Sequence, residues 1–267
     1  MKIVKDHIEN EDKMLALNVL NRIRAGDRVF GSPAEGLKET LRKVEKDMSA
    51  AEENKGELEY LDNTGEFKEQ ITLLKAGIKG EEQLAEYFEK IVKYDESLQD
   101  IICFASLSDP EQNNGGDDYI SDSDFVAVYG NNILILDAKN IRTNPEMPIY
   151  LDGDDLVSVG GKPVLELHPS VNIWRNIFRK YNCTYLSIHG CVVIVNKTGA
   201  CIWKNGEWYK SNVKPVHISE LVNFLHDWIK DKQPEVNLSL LTTIAKMQIK
   251  EESSTLDLSM ARKRFNV

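Results

Sequence analysis

The 267-residue chain has little cysteine, no long apolar run and no excess of positive charge. Its four cysteines, Cys103, Cys183, Cys191 and Cys201, include no C-x-x-C pair. That argues against a disulfide scaffold and predicts reduced thiols in a cytosolic protein. Cys183, His189 and Cys191 are close in sequence, but their spacing fits no ordinary zinc pattern, so they read as structural. The longest clean apolar runs, Ile133–Leu136 and Cys191–Val195, fall far short of a bilayer-spanning helix, so no membrane partner is expected. Met1–His7 has no apolar signal core, which agrees with a cytoplasmic location. Internal repeats and low-complexity segments are missing too, as are the Walker A, G-x-S-x-G and H-E-x-x-H motifs. With 33 Lys+Arg against 43 Asp+Glu, the net charge of −10 lacks the basic footprint of a simple phosphate binder.

What is present is ordinary globular material, 42% hydrophobic and 28% charged, long enough for a full core and one or two domains. The acidity is concentrated between residues 75 and 232, where 16 basic side chains face 23 acidic ones. Residues 1–74 read as a helical arm. Ser32-Pro33-Ala34-Glu35 has the form of a capping box with proline at the first helical position. Behind it, Leu37, Leu41, Val44, Met48 and Ala51 recur at spacings of four and three, continued by Leu58. About three heptads of this kind predict a coiled-coil or helical-hairpin seam, either dimerising the chain or packing on its own domain. Asn63-Thr64-Gly65 is expected to break the pattern.

From residue 75 helix and strand signals alternate. Leu84, Tyr87, Phe88 and Ile91 share one helical face, and Ile101–Ala105 predicts a strand. The polar stretch Ser106–Ser123, with Asp109, Glu111, Asp117, Asp118 and Asp122, predicts a loop. Phe125–Tyr129 and Ile133–Leu136 around Gly130-Asn131-Asn132 predict a tight hairpin. Shorter hairpins are expected at Leu151–Leu156 and at Trp203–Trp208, where the two tryptophans would form a cross-strand pair or a base-stacking platform. Val171–Tyr181 predicts a helix burying Ile173, Trp174, Ile177 and Phe178. Cys191–Val195 predicts a buried strand, and Ile218–Ile229 a closing helix. Residues 233–267 read as a tail with one short helix over Leu238–Ile249 and a basic end, Ala261–Val267.

The chemistry centres on Asp137-Ala138-Lys139 at the end of a strand. Side chains alternate faces with period two, so Asp137 and Lys139 point one way and Ala138 the other. Asp124 opens the preceding strand of the hairpin, and its carboxylate can reach the same edge, since strands lie about 5 Å apart. Two carboxylates and an ammonium at a sheet edge form a candidate site for a divalent cation, which prefers hard oxygen ligands. A third acid, Glu81, follows Gly77-Ile78-Lys79-Gly80, where two glycines are expected to precede a helix start. Glu81 would then either favour the helix dipole or turn inward, with the glycines letting the backbone approach closely. Lys162, Arg142, Arg175, Arg179 and Lys180 are candidates for phosphate-backbone contacts, three of them near one helical stripe.

Gly77-x-x-Gly80-Glu81, Asp124 leading into Phe125–Val128, and Asp137-Ala138-Lys139-Asn140 together resemble the nuclease-related domain (NERD), a branch of the PD-(D/E)XK nuclease superfamily. That family shows a G-x-x-G-E helix start, an Asp opening a hydrophobic strand, and E-x-K-N ending the next. His168-Pro169-Ser170-Val171-Asn172 stands where the family tends to have N-P-x-x-Q, followed by a helix, an apolar strand and a closing helix. The likeness covers roughly residues 75–230, with Asp137 for the usual Glu and Asn172 for the frequent Gln.

The resemblance implies an α/β, restriction-endonuclease-like core with a central mixed sheet flanked by helices, spanning residues 75–232. It implies Asp124 and Asp137 as ligands of Mg²⁺ or Mn²⁺, Lys139 as the catalytic lysine and Glu81 as a further acidic and metal-site residue. Glu82 substitutes for Glu81 if the register differs by one. Asn172 becomes an accessory polar residue. The expected activity is metal-dependent hydrolysis of phosphodiester bonds, with DNA favoured over RNA. The main alternative is a non-cleaving module of the same fold that binds nucleic acid or a protein partner. A helical scaffold, acting through residues 1–74 alone, is the third.

Overall fold

Strands covered on both faces require nearly continuous apolar runs, and Ile102–Leu107, Ser123–Tyr129 and Asn132–Lys139 form the centre of a six-stranded sheet in the computed structural model. The structure describes residues 2–4, 8–53, 59–108, 123–140, 149–152, 155–157, 163–166, 170–181, 183, 185–195, 201–202 and 213–248. In chain order these give β1 (Lys2–Val4), α1 (Lys13–Ala25), β2 (Val29–Phe30), α2 (Glu35–Glu53), α3 (Glu59–Tyr94), β3 (Ile102–Leu107), β4 (Ser123–Tyr129) and β5 (Asn132–Lys139). There follow β6 (Ile149–Asp152), β7 (Asp155–Val157), β8 (Pro163–Glu166), α4 (Ser170–Lys180), β9 (Ser187–Ile194), β10 (Cys201–Ile202), β11 (Val213–His217), α5 (Leu221–Ile229), β12 (Glu235–Asn237) and α6 (Leu238–Lys246).

The sheet is mixed, in the order β11-β9-β5-β4-β3-β2. β3, β4 and β5 form an antiparallel meander, β9 pairs parallel with β5, and β11 parallel with β9. Lys214 and Pro215 lie on the outermost strand, where a charge and a missing donor discourage further pairing. One face carries Phe104, Val126, Ile133, Ile135 and Val192 under residues of α1, α4 and α6. The other carries Phe125, Leu134, Leu136 and Val193 under α3 and α5. The expected α/β class, a central mixed sheet flanked by helices, is thus present. β6, β7, β8 and β10 make a second, four-stranded sheet. Among the described residues no helix is long and apolar enough to cross a membrane.

The structure differs from the sequence reading at several elements. Residues 1–74 are not helical throughout: β1 pairs with β12, and β2 adds an edge strand to the main sheet beside β3. α2 packs along α3 of its own chain, linked by Lys38–Glu82 at 3.0 Å and Lys75–Glu45 at 3.2 Å, so the heptads make an internal helical hairpin. Nor does helix α3 begin at Glu81; it runs unbroken from Glu59 through Gly65, Gly77 and Gly80 to Tyr94. Each glycine costs a helix about 1 kcal/mol, but burying Leu84, Phe88, Ile91 and Val92 contributes roughly 1.5–3 kcal/mol apiece and decides the outcome. On α4, Trp174, Ile177 and Phe178 are buried as expected, whereas Ile173 is 47% exposed. Residues 235–247, expected in a tail, belong to the core, with Leu240, Leu241, Ile244 and Met247 buried against the sheet.

The acidic loop from Asp109 to Asp122, Arg142, Lys162, His168-Pro169, the Trp203–Trp208 hairpin and the basic end 261–267 lie outside the described residues.

Candidate functional site

The two-residue turn at Gly130-Asn131 sets the geometry of the acids. Gly130 has φ +59°, a left-handed conformation that glycine adopts without strain. The turn pairs Tyr129 with Asn132 and Phe125 with Leu136, so one step further along sets Asp124 against Asp137. Ile133 and Ile135 belong to the cluster under α4 and α6, and Leu134, Leu136 and Ala138 to the one under α3 and α5. By alternation Asp137 and Lys139 therefore share a face and Ala138 takes the other, as the sequence predicts. Lys139 Nζ lies 2.8 Å from Asp137 Oδ1. The Ala138 amide donates to Asp124 Oδ2 at 2.6 Å.

Glu81 arrives from α3 and is buried, 5% exposed. Gly80 is what lets the helix come so near the sheet end: a Cβ there would stand 3.1 Å from Asn140 Cβ and 3.2 Å from Val195 Cγ2. Asn140, directly after the Asp-x-Lys triplet, donates from Nδ2 to the Ala76 carbonyl at 2.9 Å and ties helix to strand. The Glu81 carboxylate accepts the Ala34 amide, from the residue preceding α2, and feels the charges of Asp137, Lys139 and Lys38.

Three acids around one ammonium carry an excess of negative charge, and their affinities for protons record it. Burial, and then the neighbouring Asp137, push Glu81 up to about 7, against the opposing pull of the Ala34 amide and two lysines. Asp124 is held well above the ordinary carboxylate range by desolvation first, then by Asp137 and Glu81. For Lys139 burial disfavours the ammonium, but Asp137, Asp124 and Glu81 outweigh it and hold its pKa above the usual value. Lys139 therefore stays charged at neutral pH and acts as a hydrogen-bond donor.

Among the described residues no group of three or more His, Cys, Asp or Glu side chains stands at metal-ligating separations. The donor chemistry nonetheless fits a hard divalent cation: two strand-borne aspartates stand directly opposite each other, a third carboxylate is near enough to raise the pKa of Asp124, and one or two protein carboxylates suffice for Mg²⁺.

Other expected residues are placed elsewhere. Glu82 pairs with Lys38, so the fallback position is not the acid that joins the cluster. Asn172 and Arg175 engage each other, Arg175 Nη1 donating to Asn172 Oδ1 at 2.6 Å, and burial first, then the Lys232 and Arg175 charges, lower the pKa of His189. Arg179 and Lys180 form the last turn of α4 and lead toward Ser187, which pairs with Asn132 at the end of β5 remote from Lys139. Sequence reasoning missed the Ala34 amide and Lys38, whose contacts to α3 are long-range and leave no local pattern. Cys103, Cys183 and Cys191 are buried, and burial raises the pKa of Cys103 and Cys191.

Comparison of the chain with protein-family models, curated proteins and solved structures finds no match. The fold and the cluster define a class no narrower than an α/β protein with a carboxylate–lysine site at one end of its central sheet.

Proposed function

We propose that the chain is a metal-dependent nuclease of the PD-(D/E)XK kind, similar to NERD proteins, that hydrolyses phosphodiester bonds with DNA as the favoured substrate. The observation that carries this reading is the convergence of Asp124, Asp137 and Lys139 at the ends of adjacent strands, with Glu81 brought in by α3. Like charges gathered at one edge cost stability, which a purely structural role gives no reason to accept. The element order also supports it: a helix bearing Gly77-x-x-Gly80-Glu81, a strand opened by Asp124, a strand ended by Asp137-Ala138-Lys139-Asn140, then α4, β9 and α5.

Asp124 and Asp137 would hold Mg²⁺ or Mn²⁺, with Glu81 as a further carboxylate. Once bound, the cation supplies compensation of charge on the scissile phosphate and activation of water. Lys139, charged and fixed by Asp137, donates hydrogen bonds to a phosphate oxygen or orients the attacking water. The Ala138 amide fixes the Asp124 carboxyl, so the two aspartates present a set geometry rather than an averaged one. Asn140 keeps α3, and with it Glu81, at the sheet end.

The test is cleavage of circular DNA, linear DNA and RNA with Mg²⁺ or Mn²⁺, by wild type and by folded Asp137→Ala and Lys139→Ala variants. Metal-dependent cleavage lost in both variants is the expected result. A wild type inert on every substrate with either cation, and variants that still bind what it binds, would instead make this a non-cleaving binding module.

A further inference from the structure

We propose that Ser106 is a positioning residue for the acid cluster: its hydroxyl latches the segment before α2 so that the Ala34 amide holds the Glu81 carboxylate in the site. The link from Glu81 to cation binding rests on the reading above; the latch does not.

Two non-glycine residues with left-handed backbone meet here, Ala34 at φ +59° and Ser106 at φ +51°. Both are buried, 1% and 4% exposed. Such conformations are strained for a residue with a Cβ and persist where surrounding contacts impose them. The contacts are on β3 and the start of α2. Ser106 Oγ donates to the Ser32 carbonyl at 2.8 Å and accepts the Glu35 amide at 3.1 Å, bridging both sides of Ala34. The Ala34 amide between them goes to Glu81.

Capping α2 needs only the Glu35 contact. The second bond, to Ser32, together with the turn at Ala34, aims the intervening amide at Glu81. One turn on, Lys38 binds the Pro33 carbonyl at 2.9 Å and Glu82 at 3.0 Å, so the same segment also holds the residue that follows the acid on α3. The consequence is that the N-terminal region completes the site. Whatever displaces the start of α2 removes the Glu81 support while Asp124, Asp137 and Lys139 stay on their strands.

The experiment compares full-length wild type, Ser106→Gly, Ser106→Asn, Glu81→Gln and the double variant Ser106→Gly/Glu81→Gln. Glycine and asparagine both tolerate the left-handed backbone; only asparagine keeps a polar side chain that can bridge Ser32 and Glu35. The first readout is hydrogen exchange and ¹⁵N–¹H shift of the Ala34 amide. We expect Ser106→Gly to abolish its protection and Ser106→Asn to restore it, while Glu81→Gln, which keeps a side-chain oxygen to accept the amide, leaves it protected. An Ala34 amide unchanged in Ser106→Gly overturns the latch whatever the metal result. The second readout is Mn²⁺ affinity by titration calorimetry, where Ser106→Gly is expected to lose about 10-fold or more, as supporting partners of ligands do. The double variant is expected to match Glu81→Gln alone, since both changes act through one carboxylate. Additive losses would instead mean that Ser106 acts through general stability, and would overturn the positioning role. A wild type that binds no Mn²⁺ overturns the cation link and the functional reading, and leaves the amide readout to decide the latch.

Discussion

Asp124 and Asp137 face each other across neighbouring antiparallel strands, and desolvation, then the Asp137 charge, hold the Asp124 carboxyl well above the ordinary carboxylate range. Asp124→Asn retains an oxygen for the Ala138 amide and a donor for Asp137, yet removes the like charge. It is therefore expected to stabilise the cation-free chain by about 1 kcal/mol, roughly 2–4 °C in Tm at pH 8. Cleavage should fall by about 10²-fold or more. Thermal melts in EDTA beside activity assays check both. A melting temperature lowered by Asp124→Asn would mean that the carboxylate stabilises the fold and is no strained functional group.

Glu81 predicts the sign of the pH dependence. Its carboxyl is raised from an ordinary 4.5 to about 7, so between those values the native state binds more protons than the unfolded state. Stability then falls as pH rises from about 4.5 to about 7, the contribution of neutral Glu81 being complete below that window and lost above it. At 1.36 kcal/mol per pH unit the decline is at most about 3 kcal/mol. Urea unfolding in EDTA at pH 5 and pH 8 measures it, and Glu81→Gln should flatten the difference. A wild type and a Glu81→Gln variant with the same slope would remove the burial argument for this residue.

The hairpin and its acids were legible because their geometry is local. A two-residue turn sets the register, register sets Asp124 against Asp137, and the period of two puts Lys139 beside Asp137. Glu81 was legible as a candidate but not as a position. Two glycines before it read as a helix start, whereas the burial of Leu84 and Phe88 carries α3 straight through them. The Ser106 bridge was not legible, for it joins residues 71 positions apart without any periodic signal. For the same reason the amphipathic α1 and α6 read as arm and tail, although both cover the central sheet. A helix shows its apolar face in its sequence, but not which surface that face meets.

Gly65 and Gly80 lie in the same helix and should respond oppositely to alanine. A Cβ at Gly65 meets nothing within 4 Å, so Gly65→Ala is expected to gain about 0.5–1 kcal/mol through helix propensity and a less flexible unfolded chain. At Gly80 the added carbon would crowd Asn140, already bonded to Ala76, and Val195, buried among the residues under α3 and α5. Neither neighbour is free to yield, so overpacking of about 1–3 kcal/mol offsets the propensity gain and leaves Gly80→Ala destabilised. Urea midpoints rank the two variants. Equal gains would show that helix and sheet do not need the close approach that carries Glu81 inward.

The last turn of α4 offers a test of where substrate lies. Arg179 and Lys180 looked like phosphate-binding residues because they share a helical stripe with Arg175, but α4 leads its final turn toward Ser187, which pairs with Asn132. From Asn132 to Lys139 the strand advances seven residues, about 23 Å at 3.3 Å per residue. That exceeds the Debye length of about 8 Å at physiological salt, so charges at this end barely act on a phosphate beside Asp137. Arg179→Ala/Lys180→Ala is accordingly expected to leave kcat and KM for a short duplex within about twofold of wild type at 0.15 M salt. If KM instead rises tenfold with kcat unchanged, substrate runs the full length of β5 and the acid end is only part of its footprint.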